Sequence, residues 1–129
     1  MRILGVDHGT KRIGLAISDE TGMVAQSIGY VASLADVLKA ASVAGKIVVG
    51  VPRRLDGTES EQTKRALAFI ESIKAATKLP VVGWDERLTT AQAQRALLEG
   101  NVRRKDRREK VDQLAAQLML QSYLDAQNL

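Results

Sequence analysis

The sequence predicts an α/β fold: a mixed five-stranded sheet in the order 3-2-1-4-5, with only strand 2 antiparallel to the rest, and helices on both faces. Three observations lead there. The first two apolar segments are joined by a link, His8 to Lys11, that is too short for a crossover helix, so they pair as an antiparallel hairpin. Beyond Val31 the apolar spacing changes from the period of a strand to that of a helix, and buried strands then alternate with amphipathic helices, as right-handed parallel crossovers require. The chain has 129 residues, of which 45% are hydrophobic; that suits one core and leaves little room for a second, so 1–129 reads as a single domain.

Each element has its own signal. Ile3 to Val6 is an almost uninterrupted apolar run, the pattern of a strand covered on both faces, and Asp7 ends it. Ile13, Leu15 and Ile17 alternate with Gly14, Ala16 and Ser18, the pattern of a strand covered on one face. A weaker strand covers Val24 to Val31 after the turn signal Thr21-Gly22. Leu34, Val37, Leu38 and Ala41 then share one helix face, with Ser33 as N-cap, Asp36 at the capping-box distance, and Gly45 as the stop. "KIVVGV" is a buried strand. Thr58 and Glu61 repeat the capping-box spacing ahead of a helix with the stripe Ala66, Phe69, Ile70 and Ile73. "PVVGWDE" is the fifth strand, with Pro80 tolerable at its first residue. Thr89 and Gln92 signal another helix ending near Gly100, and the last helix starts around Arg108 and runs almost to the C-terminus. There is no internal repeat, linker or low-complexity segment.

Composition narrows the class. With one Trp, two Tyr and one Phe, the core must come from Val, Ile, Leu and Ala. No cysteine is present, which excludes disulfides, thiolate metal sites and a cysteine nucleophile, and fits a reducing cytoplasm. The N-terminus lacks a signal-peptide pattern, and no run approaches the roughly 20 apolar residues of a membrane span. A soluble, cytoplasmic protein with no membrane partner is expected. The net charge of +4 and a pI near 9.6 fit a polyanionic partner, and equally fit solubility alone.

Three acidic positions stand apart. Asp7 ends strand 1, Asp85 and Glu86 end strand 5, and Asp112 lies early in the last helix. In open α/β sheets ligands bind at the carboxyl ends of the strands, so Asp7 and Glu86 share the edge where a site forms. Asp112 is followed at helical spacings by Ala116, Met119 and Tyr123, which places a carboxylate on a mostly apolar face. Such a group is costly to bury without a cation or metal. Three converging carboxylates repel one another, a divalent ion reverses that penalty, and hard oxygen ligands select Mg²⁺ or Mn²⁺. Metal held this way activates water and stabilises a leaving oxygen, which makes phosphodiester hydrolysis the favoured chemistry. Each acid also has a plain structural reading: Asp7 as a turn residue ahead of Gly9, Glu86 as a surface partner of Arg87, Asp112 as a first-turn acid on the helix dipole.

"GVDHGTKRIGLAISD", "VVGVPRRLDGTESEQ", "WDERLTT" and "KVDQLAAQLMLQSYLD" together resemble the successive motifs of the YqgF (RuvX) family of RNase H-like proteins, bacterial relatives of the resolvase RuvC. The resemblance covers essentially the whole chain, in order. It implies an RNase H-like three-layer fold and a metal-dependent nuclease, with two roles described in the family: processing of the 5′ end of precursor 16S ribosomal RNA, and resolution of Holliday junctions. Carried over motif by motif, the metal-binding catalytic acids fall on Asp7, Glu86 and Asp112, with Asp85 ranked below Glu86. His8 stands where relatives often have an apolar or aromatic residue; it either touches the metal or a phosphate, or is a partly exposed turn residue.

Two segments concern the substrate. "RRKDRREK", Arg103 to Lys110, brings Arg103, Arg104, Lys105, Arg107 and Arg108 next to the Asp112 helix and reads as a mobile phosphate-contacting flap, or as a solvated loop. "PRRLDGTESEQ" forms the other wall, where Arg53 and Arg54 follow a strand end and a helix start at Thr58 offers N–H groups to a phosphate; alternatively, Asp56-Gly57 is simply a turn. Lys11, Arg12 and Arg87 are further backbone contacts. The expected partners are structured precursor ribosomal RNA or branched DNA, bound by a monomer or homodimer through shape and phosphates. Two rivals remain. "DHGT" resembles the first phosphate motif of actin-like ATPases, which close a cleft between two related domains where this chain has length for one. A non-catalytic RNA-binding factor in transcription or ribosome assembly would use the same basic surface.

Overall fold

The computed structural model describes the backbone of residues 1–87 and 104–128 and the side chains of 1–87 and 114–128. Five strands, β1 (Ile3–His8), β2 (Ile13–Ser18), β3 (Ala25–Val31), β4 (Lys46–Val51) and β5 (Val81–Asp85), form one sheet in the order β3-β2-β1-β4-β5. β2 is antiparallel to both β1 and β3, while β1, β4 and β5 are parallel. Strand order and direction are those expected from the sequence. Helices α1 (Leu34–Ala40), α2 (Glu61–Ala76) and α3 (Arg104–Gln127) complete the described elements. The helix expected from Thr89 to near Gly100 lies outside the described residues.

Alternation along the strands divides the core in two. Leu4, Val6, Leu15, Ile47, Val49 and Val51 point to one face, where they meet Val37 of α1 and Ile70 and Ile73 of α2. Ile3, Ala16 and Val48 point to the other, against Ala116, Met119, Leu120, Tyr123 and Leu124 of α3. Burying each such aliphatic side chain is worth about 1.5–3 kcal/mol, so the sheet is held mainly by these two layers. Close approach of α3 needs small residues beneath it. A Cβ on Gly5 would lie 2.9 Å from Leu120 Cβ.

Several local expectations are corrected. β2 is covered on both faces, because Gly14, Ala16 and Ser18 are the seat of α3 and not a solvent face. Ser18 is 1% exposed, and its hydroxyl accepts the Ile3 N–H at 2.8 Å. β1 runs two residues past Val6, so Asp7 lies within the strand, paired with Gly14. Ser33 does cap α1, accepting the Asp36 N–H, but the helix closes through a 3-10 turn at Ala41–Val43 ahead of Gly45. α2 starts later than Thr58: Ser60 is its N-cap and forms a reciprocal box with Thr63, whose hydroxyl also donates to the Pro52 carbonyl. Thr58 is otherwise engaged, donating through both N–H and hydroxyl to Asp56 Oδ1. α3 begins at Arg104, four residues before Arg108. Arg104, Lys105, Arg107 and Arg108 therefore belong to a helix and not to a flap, as suits Arg, Lys and Glu, which are good helix formers.

Candidate active site

Asp7 and Glu86 meet at the carboxyl edge of the sheet. Asp7 follows Val6 on the central strand, so its side chain is on the α3 face, opposite Leu4 and Val6. Glu86 leaves the end of β5 with its N–H bonded to the Val51 carbonyl at 3.1 Å. Its carboxyl group turns back across β4 and hydrogen-bonds Asp7. Gly50 makes this possible, because a Cβ there would lie 2.1 Å from Glu86 Oε1. Burial pushes the Glu86 pKa up to about 9, and the negative charge of Asp7, the hydrogen bond to it and Asp85 add to the shift. At neutral pH Glu86 is therefore protonated.

The other predicted residues are distributed differently. Asp85 points to the opposite face and is bound by Arg87, whose Nη2 donates to Asp85 Oδ2 at 2.7 Å and whose Nε donates at 2.9 Å. That ion pair, led by the Arg87 hydrogen bond, lowers the Asp85 pKa. Arg87 is thus committed to Asp85. Arg53 pairs with Glu59 at 3.8 Å, and Arg54 donates to the Glu59 carbonyl at 2.8 Å, inside its own loop. Asp56-Gly57 is the turn of that loop, with Gly57 at φ 87°. Lys11 and Arg12 lie in the exposed turn beyond Asp7 and line a cavity with it. Asp112 lies in α3, three and four residues ahead of Ala115 and Ala116, but its side chain, like those of Arg104, Lys105, Arg107 and Arg108, is outside the described part, and Arg103 is outside it altogether. His8 fits neither of its expected roles. As the last residue of β1 it faces away from Asp7 and stacks on Phe69, ring centres 4.5 Å apart.

Among the described residues no group of three or more metal-binding side chains forms. What is present is a pair of hard oxygen donors in which burial first, and the neighbouring Asp7 charge second, keep the Glu86 carboxyl protonated. A divalent cation would offset the repulsion from Asp7, so the donor set fits Mg²⁺ or Mn²⁺. A cavity of about 700 Å³ on the other face is lined by Asp85 and Arg53 but by neither Asp7 nor Glu86.

Sequence reasoning missed the glycines. Gly14 and Gly50 flank Asp7 in adjoining strands and leave the sheet bare on either side of it. The period of two in β2 and β4 carries part of that signal, but it becomes visible only with the strand register.

The sheet order and its reversed strand, with an acid on the central strand beside one at the end of β5, define the class of fold: RNase H-like. The family profile of RuvX, described as Holliday junction resolvase, matches residues 1–126, and the chain belongs to that family. A relative from Syntrophus aciditrophicus is 45% identical, the match covering 98% of this chain and 89% of the relative. One from Listeria monocytogenes serovar 1/2a is 41% identical over 99% of this chain and the whole of the relative. Both are named as candidate pre-16S rRNA nucleases. Thermus thermophilus RuvC, solved in complex with a Holliday junction substrate, superposes with a TM-score of 0.56 at 16% identity, covering 98% of this chain and 96% of RuvC. RuvC solved under the description "Thermus thermophilus RuvC structure" gives 0.55 at 15% identity. At those identities the likeness is one of fold.

Proposed function

We propose that the protein is a cytoplasmic, Mg²⁺- or Mn²⁺-dependent nuclease that hydrolyses phosphodiester bonds in precursor 16S ribosomal RNA, with Asp7, Glu86 and Asp112 as its metal-binding acids. The observation that carries this reading is the juxtaposition of the Asp7 and Glu86 carboxyl groups at the sheet edge, over Gly50. A divalent ion held by Asp7 and Glu86 would supply activation of the attacking water and a counter-charge for the leaving oxygen. The protein's own part is positional. β1 and the end of β5 hold the two carboxyl groups in place before substrate arrives, and the Val51 carbonyl fixes the Glu86 backbone. Asp112, on the helix face of Ala115 and Ala116, is the third donor. The names of the relatives favour ribosomal RNA as substrate, and the family description supplies the alternative of a four-way DNA junction.

The test is cleavage of labelled precursor ribosomal RNA and of a four-way DNA junction, each with Mg²⁺, with Mn²⁺ and with chelator, using Asp7→Asn as control. Metal-dependent cutting of the RNA that the variant lacks is expected. Cutting of the junction alone would change the substrate, and equal binding by both proteins without cutting would leave an RNA-binding factor.

A further inference from the structure

Asp7, Gly14 and Tyr30 are register partners across β1, β2 and β3. All three face α3: a Cβ on Gly14 would lie 3.5 Å from Ala116 Cβ, 3.7 Å from Asp7 Cβ and 3.7 Å from Tyr30 Cε1. On one side of Asp7 the bare sheet at Gly50 is filled by Glu86. On the other, the bare sheet at Gly14 opens into a cavity of about 290 Å³, walled by Tyr30, Lys11, Arg12 and Ala115. Among the described residues, the acid pair therefore has one flank filled by its own carboxyl group and one flank that no side chain fills.

The wall is cationic, and its cations are held apart from the acid. Arg12 does not pair with Asp7; its guanidinium lies over the Tyr30 ring, 3.8 Å from the centroid. Stacking uses the flat face of the guanidinium and leaves its N–H groups, which lie in its plane, for a bidentate contact. Among the described residues neither Lys11 nor Arg12 makes a side-chain hydrogen bond or ion pair. Arg53, Arg54 and Arg87, the other described candidates, are each taken by an internal partner.

We propose that this cavity is the subsite for one unpaired nucleotide of the substrate strand next to the scissile phosphate, with Arg12 clamping its phosphate and Tyr30 as the positioning residue that holds Arg12 off Asp7. The proposal rests on the nuclease reading above for the identity of the strand. It adds that the nucleotide is unpaired: a cavity of about 290 Å³ walled by an aromatic ring and a guanidinium plane is the kind of site in which splayed-out single-stranded nucleotides are held one at a time.

The experiment is binding of a labelled single-stranded hexaribonucleotide, and of the same strand in a blunt duplex, measured by anisotropy in chelator over a series of salt concentrations. Arg12→Ala weakens single-strand binding and lowers the slope of log affinity against log salt by about 0.7, the value for one phosphate on a single strand. Tyr30→Leu removes no charge, yet lowers that slope equally and weakens binding about fivefold. Tyr30→Phe keeps the ring and restores both, and the double variant binds no more weakly than Arg12→Ala. An unchanged slope in Tyr30→Leu, equal damage from Tyr30→Phe, or equal loss on the duplex would overturn the proposal. Arg12→Ala, in an exposed turn, keeps the test open even where Tyr30→Leu does not fold: wild-type binding by that variant also sinks it. Absence of cleavage under every metal condition would remove the nuclease reading, whereas the binding slopes decide the subsite independently.

Discussion

Glu86 holds its position only because residue 50 has no side chain. Gly50→Ala brings a Cβ to 2.1 Å from Glu86 Oε1, a separation no contact tolerates, so the carboxyl group must leave Asp7. Cleavage should fall by roughly a hundredfold, the scale of losing one group that stabilises charge in the transition state, with little change in the circular dichroism spectrum. The Glu86 proton gives a second expectation. An acid whose pKa rises from 4.5 to about 9 on folding stabilises the fold fully below 4.5 and loses that contribution as pH climbs through 9. The metal-free protein should therefore lose roughly a few kcal/mol of stability over that window in urea titrations, Mg²⁺ should restore it, and Glu86→Gln should flatten the profile. A profile that rises with pH would contradict the assigned proton.

At the scale of elements, α2 and α3 show how neighbours decide between equivalent signals. Thr58-Glu61 and Ser60-Thr63 have the same spacing, but the Asp56-Gly57 turn takes the Thr58 hydroxyl and leaves Ser60 as the cap. Ser60→Ala should cost about 1 kcal/mol, and Thr63→Val more, because the buried Thr63 hydroxyl also serves Pro52. Thr58→Ala should leave the start of α2 intact, and comparison of thermal midpoints checks all three. α3 reaches the sheet through Gly5, so Gly5→Ala should overpack against Leu120 at a cost of about 1–3 kcal/mol.

For the molecule as a whole, net charge says less than the partners of each cation. The +4 balance counts every arginine alike, whereas the fold ties Arg53, Arg54 and Arg87 to internal acceptors. Lys11→Ala should lower the salt slope of single-strand binding by about 0.7, and Arg54→Ala should leave it unchanged. An equal fall in both would mean that the loop after β4 also carries phosphate.

Sheet order, strand direction and the two helix-bearing crossovers were legible in the sequence because they follow from period and link length: a four-residue link cannot hold a crossover helix, and Leu34, Val37, Leu38 and Ala41 cannot share a strand face. Asp7 and Glu86 were legible as neighbours because strand ends of one sheet share an edge. The rest depended on side-chain partners contributed by distant segments. Asp85 and Glu86 are adjacent in the chain, yet alternation sends one to Arg87 and the other across Gly50 to Asp7. His8 and Asp7 likewise part to opposite faces. Architecture and family are written in local pattern, whereas the charges left available to a ligand are set by the fold, since hydrogen bonds and ion pairs form between residues that no local pattern relates.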